Sequence, residues 1–549
     1  MSDANNPADD FAVVAGAPRS DDLAAIGRLR EALSRAGFTS TGVRDYLGEA
    51  AARALSRDQA APALRALGRH HDRGTAGALS ALIRLFLLAR PVAEAALEEA
   101  LGDAVAEDLL RLGLAERCDP GRVRSLVDLD LHSADDGMEL WVTADLTAFQ
   151  RPGALRHDYV LGIGGASLTL AQITERRPAG RALDIGTGCG VQIFHLLGHC
   201  DRVVATDLSE RALAFARFNL ILNAPALGLD PEHLGDRVEL RHGSLLEPVA
   251  GERFDLVVTN PPFVITPRAE GETAEQRYTY RDGGRPGDAL VAELIGGLGA
   301  VMSPGATVHL LANWEIGERE AGEDDDLDPG RRWWHRVRAW IPVELDAWVI
   351  QRDAETPEEY AETWLRDASE HLDRAAYESA YIAYLEDFAS RGVHSVGFGY
   401  VRLQRPAAPR EPRRRFEELT HPVQQPIAGT LAETAEREEV LEGLGERWSD
   451  LHLVVPEHVT EERHQRPGAE DPSVILLRQG SGLQRTNVLT SATAGLVGAC
   501  DGELSVAQIV AALGSLLGWE SPASSAEEGR AVLAETRQLL VDGFLEPEA

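Results

Sequence analysis

No lysine occurs anywhere in the 549 residues: all 54 basic side chains are arginine. That absence excludes a lysine Schiff base, a lysine general base and the phosphate-binding lysine of a Walker loop. Cysteine is scarce too. Cys118, Cys189, Cys200 and Cys500 are scattered, with no Cys-x-x-Cys pair, which excludes a disulfide scaffold and suits a reducing cytoplasm. Positive charge is outweighed by 88 acidic residues, a formal charge of −34. Such an excess repels nucleic acid at long range, so any phosphate contact needs a local basic patch. Long apolar runs are missing as well: the longest, around ALSALIRLFLLA, is interrupted by Arg84 and is too short to span a bilayer, so no membrane partner is expected. Residues 1–20 have neither a basic start nor an apolar stretch and read as a disordered tail, not a signal peptide.

Hydrophobic residues at 44% and charged residues at 26% describe a soluble globular chain. Its length suggests about three domains of roughly 150 residues each. Between about Asp21 and Glu116 apolar residues recur at helical spacing, as in LAAIGRLREAL and VAEAALEEAL. VRSLVDLDLH and MELWVTADL then alternate as two strands around a turn at Ala134–Gly137, so residues 21–150 read as a helical, winged-helix-like domain. Residues 51–90 hold seven arginines against two aspartates, beside His70 and His71: a solvated helical face by default, a nucleic-acid contact as the sharper alternative.

From 151 to 405 short apolar runs alternate with helical segments, the pattern of a parallel sheet with crossover helices. RALDIG, RVVATDL, VELRHG, FDLVVTN, TVHLLANW, LDAWVIQR and SVGFGYVRL predict a seven-stranded, Rossmann-like α/β domain. Seven acidic side chains within 318–329 predict a solvated loop, and 356–391 reads as a helical insertion rich in Tyr and Trp. The remainder, 411–549, carries 24 acidic residues against 11 arginines and reads as an α+β, winged-helix-like module for protein contact or lid formation. Its last three segments predict helices, with Ser505 and Gln508 spaced as a capping box and Gly543 as a C-cap.

RALDIGTGCGV, residues 181–191, is a strand, a tight turn with Gly186, Gly188 and Gly190, and a helix start near Val191. Glycines there let a ligand approach the backbone without meeting a Cβ. A dinucleotide fingerprint requires glycine or alanine where this chain has Val191, which disfavours NAD. Asp184, two residues before the first glycine, would repel a pyrophosphate but suit an ammonium or sulfonium. Asp207 ends the next strand, where a carboxylate can accept both hydroxyls of a ribose. A nucleoside with a cationic tail describes S-adenosylmethionine.

The fourth strand, FDLVVTN, runs into Asn260-Pro261-Pro262-Phe263 at the carboxyl edge of the sheet, where open α/β domains hold ligands. Prolines donate no backbone hydrogen bond, so this edge presents acceptors. A planar amine or amide nitrogen is a poor nucleophile because its lone pair is delocalised. If Asn260 Oδ1 and the Pro261 carbonyl each take one N–H, the nitrogen is oriented and its developing charge stabilised, with Phe263 stacking on the flat group.

DIGTGCG, Asp207 and NPPF together resemble the class I S-adenosylmethionine-dependent methyltransferases of the N-methylating group, which includes small-domain rRNA guanine and adenine methyltransferases and release-factor glutamine methyltransferases. The resemblance spans about residues 155–405. It implies that Asp184, Gly186, Gly188 and Gly190 lie against the methionine part, that Asp207 binds the ribose, and that Asn260–Phe263 bind the target nitrogen. Ser244 stands where such enzymes often carry an aspartate for the adenine amino group, and its hydroxyl can accept that bond more weakly.

The expected activity is N-methylation of a nucleobase, of RNA or else DNA, with a protein glutamine amide as the alternative and a degenerate, regulatory binding protein as the reading of another class. No metal is expected: His195 and His199 lack a further ligand pair, and ordinary packing accounts for them and for Cys200. Arg268, Arg277, Arg281 and Arg285 are interleaved with carboxylates, and Trp333, Trp334 and Trp340 read first as core.

Overall fold

The computed structural model describes residues 10–72, 77–133, 137–151, 156–268, 283–317, 333–367, 374–519 and 527–548. Most of the Ala134–Gly137 turn, the acidic 318–329 loop, Arg277 and Arg281 lie outside the described residues. The chain divides into two compact units, one of residues up to 171 with 177–418 and one of 172–176 with 419–549.

All seven apolar runs form strands of one sheet in the first unit: β1 (Ala179–Ile185), β2 (Cys200–Asp207), β3 (Val238–His242), β4 (Phe254–Thr259), β5 (Met302–Gly317), β6 (Asp346–Glu355) and β7 (Val393–Gln404). An eighth, β8 (Arg414–Glu418), completes the order 8-6-7-5-4-1-2-3. β1 to β5 pair in parallel, β7 runs antiparallel between β5 and β6, and β8 is parallel to β6. β8 falls in the 411–549 segment expected to form the C-terminal module, and instead belongs to this sheet. Its RRFEE composition carries a single apolar residue, Phe416, so an edge strand of this kind has no alternating signal to detect. The inner strands are buried on both faces, as Ala182–Ile185 and Leu256–Thr259 are, and this continuous apolarity made them legible.

Helix α1 (Val191–Leu197) follows the glycine turn. Helix α2 (Glu210–Leu222) is capped by Ser209, whose side chain accepts the Ala212 N–H, and is buried from Arg211 to Leu222. A helix enclosed all round needs cover on the side away from the sheet. The hairpin of Val127–Ser133 and Glu139–Asp145 supplies it: Asn219 Oδ1 accepts the Thr143 N–H at 2.8 Å, and Asn223 Oδ1 accepts the Trp141 N–H at 2.9 Å. This hairpin forms its own two-stranded ladder. A second hairpin, Ala115–Asp119 with Arg122–Ser125, instead follows the helices Glu94–Leu101 and Asp103–Arg111 and pairs with Val92–Ala93.

Residues 10–20 correct the expectation of a disordered tail up to residue 20. Phe11 and Ser20 are buried, and the Ser20 N–H donates to the Ala12 carbonyl at 2.9 Å. Phe11, a single aromatic among mostly small residues, gives little apolar pattern to detect.

The insertion between β6 and β7 consists of α3 (Pro357–Asp367) and α4 (Arg374–Ser390), packed around Tyr360, Tyr384 and Phe388. In the second unit the helices Ser491–Val497, Val506–Leu517 and Glu527–Asp542 match the three expected, and the Ser505–Gln508 capping box closes both of its bonds. Gly543 takes φ +79°, as a C-cap requires. The preceding three-stranded sheet, Val459–His464, Val474–Gln479 and Thr486–Leu489, gives this α+β module strands that no sequence motif had placed.

Candidate functional site

At the carboxyl ends of β1, β2, β3 and β4 lies a cavity of about 280 Å³. Asp184, Gly186, Gly188, Asp207, Ser244, Asn260, Pro261 and Pro262, from four separate segments, all line it. The glycine turn explains its mouth. Gly186, Gly188 and Gly190 have φ of +73°, +57° and +91°, and a Cβ on Gly190 would meet the Ala216 Cβ at 3.2 Å, so α2 can approach the turn closely only past a bare backbone. The turn is held by the Thr206 carbonyl, which accepts the Gly186 and Thr187 N–H groups at 2.8 and 3.0 Å.

Asp207 joins this turn to α2. Its Oδ2 accepts the Gly188 N–H at 2.9 Å and its Oδ1 the Ser209 N–H at 2.8 Å, which leaves each oxygen capacity for a further hydrogen bond. Burial raises its carboxyl above the usual range, with the two N–H groups pulling the other way.

Asp184 is 1% exposed, and its Oδ2 has no hydrogen-bond partner within the protein. Burial pushes its carboxyl up to about 7; the Thr187 hydroxyl opposes this and the Asp207 charge adds to it. A buried oxygen left in this state costs about 1–3 kcal/mol, which is tolerated where a ligand brings the missing donor. Asn260 Oδ1 is likewise buried and unpartnered. Thr259, just before it, ties β4 to β1 by donating its hydroxyl proton to the Ile185 carbonyl at 2.9 Å.

Phe263 does not line the cavity. It packs edge-to-face with Trp364 of α3, ring centroids 6.5 Å apart, contrary to the expectation that it faces a flat substrate group. The insertion accounts for this by offering an aromatic partner to a ring that also packs against the sheet's core. It also fixes the chain beyond the motif: the buried Tyr360 hydroxyl accepts the Ile265 N–H at 2.8 Å and the Asn313 amide at 3.3 Å.

Tyr159, Val160, Leu161, Gly162, Gln192, Leu208 and Leu290 line the cavity without having been singled out from sequence. Apolar lining carries no motif. Gln192, one position into α1 from Val191, had a positional signal, and it donates to the Ser167 carbonyl at 2.8 Å. The lesser candidates lie elsewhere. His195 faces His132, their Nε2 atoms 3.0 Å apart, and no group of three metal-binding side chains occurs among the described residues. Trp333 stacks on Trp314, and Trp334 on Phe416, both against the sheet's core. Arg268 donates to the Arg285 carbonyl and Arg285 pairs with Glu293. Of the arginines of 51–72, Arg53 sits on the helix Glu49–Leu55, Arg57 in the turn after it, and Arg65 and Arg69 on the helix Ala60–Asp72, and none lines the cavity. Among the described residues no helix is long and apolar enough to cross a membrane.

Two family models match: a domain of unknown function (DUF7059) over residues 35–126, and the methyltransferase small domain over residues 156–277. The release factor glutamine methyltransferase of Bordetella pertussis is 32% identical over 150 residues, 26% of this chain and 52% of that protein. The protein of the same name from Geobacter sulfurreducens is 34% identical over 173 residues, 30% of this chain and 54% of that one. The chain thus spans about half the length of these curated relatives. A solved S-adenosylmethionine-dependent methyltransferase from Thiobacillus denitrificans, in complex with S-adenosyl-L-homocysteine, aligns at 18% identity and a TM-score of 0.23, covering 43% of this chain and 89% of that one. Glycine turn, strand-end acid and NPPF edge thus all fall within residues 156–277, which match the methyltransferase small domain, and they lie on one sheet edge.

Proposed function

We propose that the chain methylates the side-chain amide nitrogen of a glutamine in a protein partner. The observation that carries this reading is the unpartnered, buried Asn260 Oδ1 on the wall that also holds the glycine turn, in a chain whose matched relatives are named for glutamine methylation. Overall charge supports it over the nucleobase expected first, because −34 opposes association with RNA or DNA and the arginines of 51–72 do not line the cavity.

The residues fit S-adenosylmethionine, which when bound supplies an electrophilic methyl on a sulfonium sulfur. Asp184 Oδ2 would accept from its ammonium, Asp207, with a lone pair left on each oxygen, would accept from the ribose hydroxyls, and the Ser244 hydroxyl would accept from the base's amino group. On the substrate side, Asn260 Oδ1 and the Pro261 carbonyl accept the two amide N–H groups. This pairing holds the NH₂ plane fixed and draws positive charge off the nitrogen as its lone pair is engaged. Pro261 and Pro262 keep competing donors away. The surrounding low dielectric strengthens both bonds.

The test is incubation of the full chain with tritiated S-adenosylmethionine and extract from cells lacking the gene, followed by protease and nuclease digestion. Protease-sensitive label recovered as N-methylglutamine supports the proposal; nuclease-sensitive label overturns it in favour of a nucleobase.

A further inference from the structure

Arg211, on the first turn of α2, is 6% exposed, and all five of its N–H groups are engaged. Nη2 and Nη1 grip the Asp145 carboxylate at 2.6 and 3.0 Å, at the end of the hairpin. Nη1 also donates to the Asp158 carbonyl at 2.6 Å, while Nε and Nη2 donate to the Gly16 carbonyl at 2.9 and 2.7 Å. Asp145 passes the constraint on: its Oδ2 accepts the Val160 N–H at 2.8 Å, and its own N–H donates to the Val160 carbonyl at 3.1 Å. Tyr159, Val160, Leu161 and Gly162 are one wall of the cavity. A Cβ on Gly162 would meet the Ala144 Cβ at 3.2 Å, so the wall also seats directly on the hairpin.

We infer that Arg211 is a positioning residue for cofactor binding, one that holds the 158–162 wall in its ligand-receiving shape and so makes the N-terminal arm and the hairpin part of the cofactor site, although neither lines it. The inference rests on the proposed reading of the cavity as the S-adenosylmethionine site. Arg211 touches no ligand position. It acts on affinity because a wall that occupies the competent shape only a fraction of the time raises the apparent Kd by the inverse of that fraction. Losing the guanidinium frees the Asp158 carbonyl and leaves Asp145 as a buried, uncompensated charge next to Val160.

Arg217 provides a matched comparison. It lies on the same helix, is also buried, and holds the same arm through Ser20, donating to its carbonyl at 2.7 Å and its hydroxyl at 2.6 Å. Calorimetric titration of S-adenosylhomocysteine into the full chain should give a Kd raised about tenfold or more in Arg211→Met. Arg211→Lys should recover part of this, since lysine keeps the charge but not the fork. Arg217→Met, which releases the same arm without touching Asp145 or the 158–162 wall, should keep the wild-type Kd. With saturating cofactor, turnover of Arg211→Met should stay within about threefold of wild type, because the groups facing the target nitrogen are untouched. Hydrogen exchange at 158–162 should quicken in Arg211→Met and not in Arg217→Met.

Wild-type affinity in Arg211→Met, or equal weakening in both methionine variants, would overturn the inference and leave Arg211 as ordinary fold stabilisation. If Arg211→Met fails to fold, Asp145→Asn decides: a raised Kd with unchanged saturated turnover supports it, and an unchanged Kd overturns it. Absence of binding by the wild-type chain is a separate result that removes the cofactor reading itself.

Discussion

Asp184 and Asn260, on β1 and at the exit of the neighbouring parallel strand β4, both line one cavity, and each holds a buried, unpartnered oxygen. Ile185 of β1 lies opposite Thr259 of β4, so Asp184 stands one position before that pair and Asn260 one position after it. Under the proposed function the two oxygens take opposite tasks, one accepting from a cation and one from an amide N–H.

Asn260→Ala removes one oriented acceptor and nothing from the glycine turn. The affinity for S-adenosylhomocysteine should be unchanged, while turnover should fall on the order of a hundredfold, about 3 kcal/mol of transition-state stabilisation. Titration calorimetry and initial rates read the two effects separately. Unchanged turnover would remove Asn260 from the chemistry.

With burial holding the Asp184 carboxyl up at about 7, binding of the proposed cofactor should be pH-dependent. A bound ammonium favours the ionised form, so below about 7 a proton must leave on binding. Affinity should therefore be level above that pH and fall by up to about tenfold per unit below it. Asp184→Asn should bind weakly with a flat profile. A wild-type Kd that does not change between pH 5.5 and 8 would contradict this assignment.

Tyr360→Phe deletes the hydroxyl that receives the Ile265 N–H and the Asn313 amide, leaving both donors buried without that acceptor. The expected loss is about 1–3 kcal/mol of stability. Because Ile265 lies just beyond NPPF, turnover should fall while cofactor affinity holds. Denaturant melts alongside kinetics test both parts.

Asp128, buried on the hairpin and accepting the Gln150 amide at 2.6 Å, has its carboxyl raised, first by burial and then by the neighbouring Asp130 charge. A folded-state pKa above the unfolded one means that the native protein binds the extra proton, so stability is lost as pH rises from the ordinary carboxylate range toward the raised value. Asp128→Asn removes that loss. Its melting temperature should match wild type near pH 4 and exceed it by a widening margin toward pH 8, as scanning calorimetry would show.

The sequence by itself determined the seven strands, the glycine turn and the NPPF edge, because each is written in contiguous residues: inner parallel strands are apolar throughout, a tight turn demands glycine, and consecutive prolines stiffen a strand exit. Only the tertiary structure decided what meets across the chain. That Phe263 turns to Trp364, that RRFEE is an edge strand, that residues 10–20 are built in, and that Arg211 links Gly16, Asp145 and Asp158 all depend on residues up to 195 positions apart. Pairings of that span leave no local pattern, since packing selects them only after the helices and strands have docked.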